Sequence, residues 1–261
     1  MTMDLEEATE GSHAVVRCYF VRGRNALVTR ADIGPVYVDH YLHLMQHGLQ
    51  IEPAHDAMLK DALAACTLHL ASRPWAEVSA WTLHFGDEHP LNLFVTGDSR
   101  TENIVGRVFT DDIRHDQKNL FVAQINEHPK PPRRSVVELN RDDDVFGMVE
   151  TYYAQSDQRM ARFFRYAEED FVFVSAQPDC DEEWLQGLDE DAIRKLDQEE
   201  ELSLLETRRY RHDCGCTLDR LLPALSKLAP DELFGDEETI RLDCPRCAAK
   251  YRVRREDLDS M

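Results

Sequence analysis

The hydrophobic positions of residues 1–178 follow two periods. Short runs rich in β-branched and aromatic residues, bounded by Gly, Asp, Asn and Pro, predict strands. Apolar residues that recur every three or four positions predict helices. Together they predict an α+β fold, a mixed α/β core domain with antiparallel strands. The predicted strands are 14–20, 25–30, 78–85, 91–95, 104–109, 120–125, 135–139 and 171–174, and the predicted helices are 36–48, 54–72 and 144–158.

The pattern changes after Pro178. Residues 179–206 contain twelve Asp or Glu and only two cations, Arg194 and Lys195, with Trp, Leu and Ile interspersed. This composition predicts one or two amphipathic helices, which like-charge repulsion opposes and burial of the apolar stripe favours. We therefore expect residues 179–211 to be an acidic helical linker that is folded only while it is docked. An ordinary acidic connecting helix has the same pattern.

Two close pairs of cysteines lie near the C-terminus, Cys214 with Cys216 and Cys244 with Cys247, and 27 residues separate the pairs. Each pair can present two sulfurs from one turn, and four thiolates complete the tetrahedral shell of a structural zinc ion. We therefore predict a Zn²⁺ site, one ion per chain, in a small C-terminal zinc-binding module at residues 212–261.

That module has too few large apolar side chains to form a stable core of its own. Residues 208–261 contain eleven Lys or Arg, eleven Asp or Glu, and few large apolar side chains. A module this small needs another source of stability, and structural zinc supplies about 10–16 kcal/mol of apparent binding energy. Thr217 is a candidate N-cap for a helix within it, and Pro223 is expected to kink or restart that helix.

Histidines offer a weaker alternative metal site. His40, His43 and His47 follow helical spacing, and Asp39 is the nearest carboxylate. A partly exposed helix face explains the same pattern, and we favour that explanation. His212 could compete as a ligand, but four cysteines already complete a zinc shell.

The remaining three cysteines lie outside the two pairs. Cys18 and Cys66 fall on apolar strand and helix faces, which is typical of inert core thiols. Cys180 lies in the acidic segment, where we expect it to be exposed, either as a stray thiol or as an additional oxidisable one. Neighbouring carboxylates are expected to raise the pKa of its thiol and to lower its reactivity.

Composition narrows the function further. The formal net charge is −20 and the isoelectric point is about 4.9, which disfavours binding to nucleic acid. The acidic N-terminus and the lack of a long apolar run predict a cytoplasmic protein without signal peptide or membrane association. In that compartment thiols stay reduced, so paired cysteines indicate metal or redox chemistry. The sequence contains no phosphate-binding glycine loop, no HExxH motif and no G-x-S-x-G motif. We therefore predict that the protein is not an enzyme.

The chain resembles the heat shock protein 33 family of redox-regulated chaperones over nearly its whole length. The two cysteine segments are the most specific part of the likeness. Three other stretches are also similar to the family: Val21-Arg22-Gly23, Pro90-Leu91-Asn92-Leu93, and Leu228-Ala229-Pro230-Asp231-Glu232-Leu233.

This resemblance implies a function and a set of residue roles. The reduced protein would bind zinc through Cys214, Cys216, Cys244 and Cys247 and be inactive. Oxidation would form the disulfides Cys214–Cys216 and Cys244–Cys247 and release zinc. The protein would then act in the stress response as an ATP-independent holdase, often as a homodimer, whose partners are unfolded or partly unfolded client proteins.

Two other functions fit some of the same residues. A zinc-ribbon interaction module that binds RNA or a partner protein would be active in its reduced, zinc-bound form, although the module's zero net charge disfavours RNA. A thiol oxidoreductase could use the CxxC pair, but no thioredoxin-like βαβ pattern surrounds it.

Overall fold

A ten-stranded sheet organises the computed structural model, which describes residues 13–75, 77–86, 90–111, 113, 118–140 and 143–259. The acidic N-terminal stretch, from which the absence of a signal peptide is predicted, lies outside these residues. The strands of this sheet are β1 (Ala14–Val21), β2 (Ala26–Asp32), β3 (Glu77–Phe85), β4 (Leu91–Asp98), β5 (Asn103–Phe109), β6 (Asn119–Glu127), β7 (Arg133–Leu139), β8 (Ala161–Arg165), β9 (Asp170–Ala176) and β10 (Leu202–His212).

The strand order is β7-β6-β3-β4-β5-β10-β1-β2-β9-β8. Neighbouring strands are antiparallel except β10 and β5, which run parallel. β10 therefore joins two antiparallel half-sheets. It pairs with β1 along most of its length but with β5 at two residues only, Arg211 opposite Asn103 and His212 opposite Ile104.

Helices lie on the sheet and after it. The described helices are α1 (Gly34–His47), α2 (Pro53–Ala71), α3 (Val145–Tyr152), α4 (Glu182–Gly187), α5 (Glu190–Glu199), α6 (Leu218–Leu225), α7 (Pro230–Phe234) and α8 (Arg255–Asp259). A π-helical turn, Tyr153–Asp157, continues α3. None of the helices among the described residues combines the length and apolar character needed to cross a bilayer.

The main core lies between α2 and the sheet. From Leu59 onward α2 is rich in Ala and Leu and is buried over most of its circumference, as expected for a helix that is apolar on nearly every face. Trp81 of β3 is fully buried in the same core, beside Phe121 of β6 and Tyr152 of α3. The α+β fold predicted from the sequence is confirmed.

The acidic segment contains helices only in its first part. α4 and α5 are the one or two helices predicted for this segment, but the helical part ends at Glu199, and the rest of the predicted helical linker, to residue 211, belongs to strand β10, Leu202–His212. The buried side chains at the end of β10 are Arg208, Tyr210 and His212, a period of two that belongs to a strand. The run of carboxylates before them obscured that period. β8 is a second strand that the pattern did not predict.

Carboxylates start both acidic helices, and apolar side chains dock them. Asp181 accepts a hydrogen bond from the Trp184 N–H at 3.0 Å, and Asp189 accepts one from the Ala192 N–H at 2.8 Å. The buried residues of α4, α5 and their connection pack on the face of β1, β2, β8 and β9. They are Leu185, Leu188, Ile193 and Leu196.

Candidate metal centre

The four C-terminal cysteines converge. Their sulfur atoms all lie within 4.8 Å of one another. The Sγ atoms of Cys214 and Cys244 are 3.7 Å apart, and those of Cys216 and Cys247 are 3.5 Å apart. Residues 30 and 31 positions apart in the chain thus form one compact cluster.

Two tight turns present these sulfurs. Gly215, between the first two cysteines, has φ +61°, a conformation that a side chain disfavours. Its N–H donates to the Asp213 carboxylate at 2.8 Å, which fixes the turn as β10 ends. The second pair lies between β11 (Thr239–Asp243) and β12 (Lys250–Arg254), and Ala248 there has φ 61°.

Hydrogen bonds hold the first pair in place. The Tyr251 hydroxyl donates to the carbonyl of Cys216 at 2.9 Å and lies 3.1 Å from its sulfur. The Arg246 guanidinium donates to the carbonyl of Cys214 at 3.3 Å. Such outer contacts orient ligands and place positive charge and a donor beside sulfurs that would carry negative charge.

The cluster accepts one negative charge easily and further ones with difficulty. A hydrogen bond from Cys247, helped by the charge of Arg246, lowers the pKa of Cys214 to about 5. Burial raises the pKa of Cys216 to about 11, and the hydrogen bond to Cys214 raises that of Cys247. Four thiolates in this space therefore require a bound cation.

The donor set fits tetrahedral zinc. Zn–S bonds of about 2.3 Å place the sulfurs of a tetrahedral site roughly 3.8 Å apart, close to the two separations measured here. Among the described residues, these four cysteines are the group of His, Cys, Asp and Glu side chains close enough together to hold a metal ion. Zinc held by four thiolates has no open position for water, so a hydrolytic role does not fit.

The module around the cluster has little core of its own. The buried apolar residues that join α6 and α7 to the β11–β12 hairpin are Leu222, Phe234 and Val253. Thr217 caps α6 as predicted, accepting a hydrogen bond from the Arg220 N–H at 3.3 Å. α6 runs through Pro223 without restarting.

The metal end of the module is seated on the core. Arg107 of β5 donates to the carbonyl of Cys244 at 2.9 Å, and His43 of α1 donates to the carbonyl of Cys247 at 2.8 Å. The side chain of Val105, fully buried, packs in one cluster with the cysteines. Both carbonyls of the CxxC pair thus bond to side chains of the core.

Of the histidines on α1, His43 and His47 contact the module, and among the described residues the histidines are not grouped closely enough with other ligands to form a second metal site. His40 bonds to Asp56 at 3.0 Å, and the Lys250 N–H donates to His47 at 3.3 Å. His212 is buried beside the rings of His40 and His43, and burial lowers its pKa to about 3, so it is neutral. The sequence pattern indicates His43 as a possible metal ligand. Its contact with the carbonyl of Cys247 could not be predicted, because the two residues are far apart in the chain and meet only in the fold.

The other cysteines lie apart from the cluster. Cys18 and Cys66 are buried, as expected, and burial raises the pKa of both thiols, that of Cys18 to about 12. Cys180 is half-buried rather than exposed, and burial together with Asp181 and Glu182 raises its pKa.

Removing the Arg107 contact is expected to loosen the module without removing its metal. Arg107→Gln loses a charge-assisted hydrogen bond to Cys244, an interaction worth about 1.5–3 kcal/mol. Hydrogen exchange at residues 244–250 should accelerate at least tenfold, while reduced protein still binds one zinc per chain. Arg241→Gln is the control, because Arg241 is exposed and pairs with Asp243 inside the module. Equal exchange rates in both variants would show that Arg107 does not seat the module.

Comparisons with known proteins match part of this chain at the sequence level. The family model described as Hsp33 protein matches residues 168–254, which include the acidic segment and both cysteine pairs. A 33 kDa chaperonin of Caldanaerobacter subterraneus subsp. tengcongensis is 31% identical over 75 residues, 28% of this chain and 26% of that protein. The matched segment therefore spans about a quarter of that relative's length.

A solved structure shares the fold. The crystal structure of the 33 kDa chaperonin (heat shock protein 33 homolog) of Thermotoga maritima matches with a TM-score of 0.73 at 14% identity. The match covers 95% of this chain and 97% of the other.

Proposed function

We propose that the chain is a member of the Hsp33 family, whose model matches residues 168–254, and that it is a redox-regulated, ATP-independent holdase chaperone. Its partners are unfolded or partly unfolded proteins, which it protects from aggregation in the cytoplasm under oxidative stress, without enzymatic turnover. The observation that carries this proposal is the cluster of four sulfurs, seated on the core at the end of β10.

The proposed division of labour has three parts. Residues 1–178 form the client-binding and dimerisation core, residues 179–211 the linker, and residues 212–261 the redox switch. Cys214, Cys216, Cys244 and Cys247 hold one Zn²⁺ in the reduced state, which supplies stability that the module's small core lacks.

Oxidation acts on the thiolates. One sulfur of a pair attacks peroxide and becomes a sulfenic acid with release of hydroxide, and its partner thiolate then displaces a second hydroxide as the S–S bond forms. Each pair of cysteines thereby loses two electrons, and the zinc ion loses two of its four thiolate ligands. The resemblance to the Hsp33 family implies that these disulfides are Cys214–Cys216 and Cys244–Cys247, and we adopt that pairing.

Loss of the module is proposed to release the linker helices. β10 connects α5 to Cys214, so unfolding at the cysteines reaches the docked segment through one strand. Undocking of α4 and α5 would uncover apolar residues of the sheet, a surface able to capture exposed apolar chains. The sheet residues beneath them are Tyr19, Val21, Ala26, Val28, Phe164, Val172, Val174 and Ala176.

Client protection should follow the redox state. Peroxide-treated protein is expected to suppress aggregation of a thermally unfolding reporter enzyme, and dithiothreitol with zinc should abolish that protection. Peptide mapping of the oxidised form should recover the two neighbouring disulfides, and gel filtration should test the proposed homodimer. Equal protection by the reduced, zinc-loaded form would exclude the redox switch and favour an interaction module active with its metal.

A further inference from the structure

The zinc-binding module covers an incomplete strand edge. β5 pairs with β4 along its whole length, from Asn103 to Phe109. On its other side β5 pairs with β10 only at Asn103 and Ile104. Beyond Ile104, therefore, β10 does not continue the sheet.

The backbone groups that face the β10 side of this edge can be identified. The Asp213 N–H donates to the Ile104 carbonyl at 3.1 Å, so Ile104 faces the β10 side. Because backbone groups of alternate residues in a strand face the same side, Gly106 and Val108 direct their N–H and C=O there too, while Arg107 faces β4.

The CxxC segment lies across a cavity from that side of β5. The cavity has a volume of about 170 Å³ and is enclosed by this edge, the C-terminal half of α1, residues 49–51 and the module, with Gly106, Val108, His43, Cys247 and Ala248 among its lining residues. Exposed strand edges pair readily with other chains, and covering them is one way in which proteins prevent this. The module therefore contributes one wall of the cover over this edge.

We propose that oxidation uncovers residues 105–109 of β5 and that an extended segment of a client protein adds to this edge as a strand. This inference rests on the proposed chaperone function and specifies where clients bind. It predicts a contact surface different from the face beneath α4 and α5.

Three features of the edge fit an unfolded polypeptide. Main-chain pairing is indifferent to sequence, which suits a partner with no fixed sequence. The same edge already accepts residues 211–212 of this chain as a parallel strand, so a client strand would extend an existing pairing. Val105, fully buried against the cysteines, would add an apolar contact once the module leaves.

Residue-resolved hydrogen exchange on the full-length oxidised protein tests the pairing. The probe is reduced, carboxymethylated α-lactalbumin, a permanently unfolded chain. Its addition should slow exchange of the Gly106 and Val108 amides at least tenfold and leave the Arg107 amide, already paired with β4, unchanged. Slowing only at the outer edges, β7 or β8, would overturn the proposal, as would binding without protection of Gly106 and Val108.

A pair of variants provides the second test. Val108→Pro removes the edge-facing N–H, whereas Val108→Thr keeps both that N–H and a β-branched side chain. Proline should weaken probe binding by oxidised protein at least tenfold and threonine less than threefold. Equal binding by two folded variants would overturn the proposal. If Val108→Pro does not fold, the exchange result on the unmodified chain decides.

The remaining outcomes distinguish a failure of strand addition at β5 from a failure of the proposed chaperone function. Protection of Gly106 and Val108 that rises with protein concentration in the absence of probe would assign the edge to a second copy of the chain and overturn client addition. Failure of the oxidised protein to bind the probe at all would refute the chaperone function itself. Probe binding with an unprotected β5 edge would leave that function standing and refute only the strand addition.

Discussion

Cys247→Ser is expected to unfold residues 213–259 in the reduced protein. It removes one of the four proposed zinc ligands from a module with a small apolar cluster. Among the described residues of that cluster, Leu222, Phe234 and Val253 are buried and five other apolar side chains are partly buried against them. Burial contributes about 1.5–3 kcal/mol for each of the three buried side chains and less for the others, against about 10–16 kcal/mol of apparent zinc binding energy. Loss of the proposed metal should therefore remove much of the module's stability. Zinc analysis should fall from one ion per chain toward zero, and amide protection in β11 and β12 should disappear.

The matched control for this experiment is Cys180→Ser. Cys180 is a half-buried thiol outside the sulfur cluster, so its replacement should leave zinc content and amide protection in the module unchanged. Both variants should keep the protection of α2 and β3, because those elements belong to the main core. A metal-free Cys247→Ser protein with protected β11 and β12 amides would contradict a metal-dependent fold.

The sulfur cluster could be predicted from the sequence because the spacing within each cysteine pair is a local feature of the chain. Each cysteine pair lies within one turn, so spacing alone indicates that two sulfurs face the same way, and a second pair suggests a shared ion. The seat of the cluster is not local. Arg107 and Cys244 are 137 positions apart, and no pattern in either segment encodes their contact.

β10 shows the other limit of the sequence pattern. Its N-terminal half follows a run of carboxylates, and Leu204 and Leu205 are both exposed, so no clean alternation appears there. Its strand character comes from pairing with β1 and from Arg208, which donates to the carbonyls of Leu70 and Arg73 beside the end of α2. Tertiary contacts decide the structure of this segment, and local composition favoured helix.

Weakening the linker docking is expected to activate the protein without oxidant. Four apolar side chains hold α4 and α5 on the sheet, and Arg24 adds ion pairs to Asp181 at 2.7 Å and Glu200 at 3.0 Å. Those ion pairs are partly exposed and contribute little. Burial of apolar side chains is therefore the main contribution to the docking of α4 and α5. It must offset the conformational entropy lost when the helices become ordered and the repulsion among the many carboxylates of this segment.

The test is the pair Ile193→Ala and Leu196→Ala in reduced, zinc-loaded protein. Each removes a fully packed side chain, a loss of about 2–5 kcal/mol, enough to shift a marginal docking equilibrium by roughly thirtyfold or more. Exchange of the α4 and α5 amides should accelerate, zinc should remain at one per chain, and client aggregation should be partly suppressed. Lys195→Ala, an exposed position on the same helix, should change none of these.

The result also distinguishes the two proposed client surfaces. If the face beneath α4 and α5 binds clients, an undocked linker suffices for protection while the module stays folded. If protection still requires peroxide after the linker amides exchange freely, client binding depends on the edge of β5, which the folded module continues to cover. The combination of Ile193→Ala with Val108→Pro, measured before and after oxidation, then assigns the contribution of each surface, because the two sites lie on different strands and share no contacting residue.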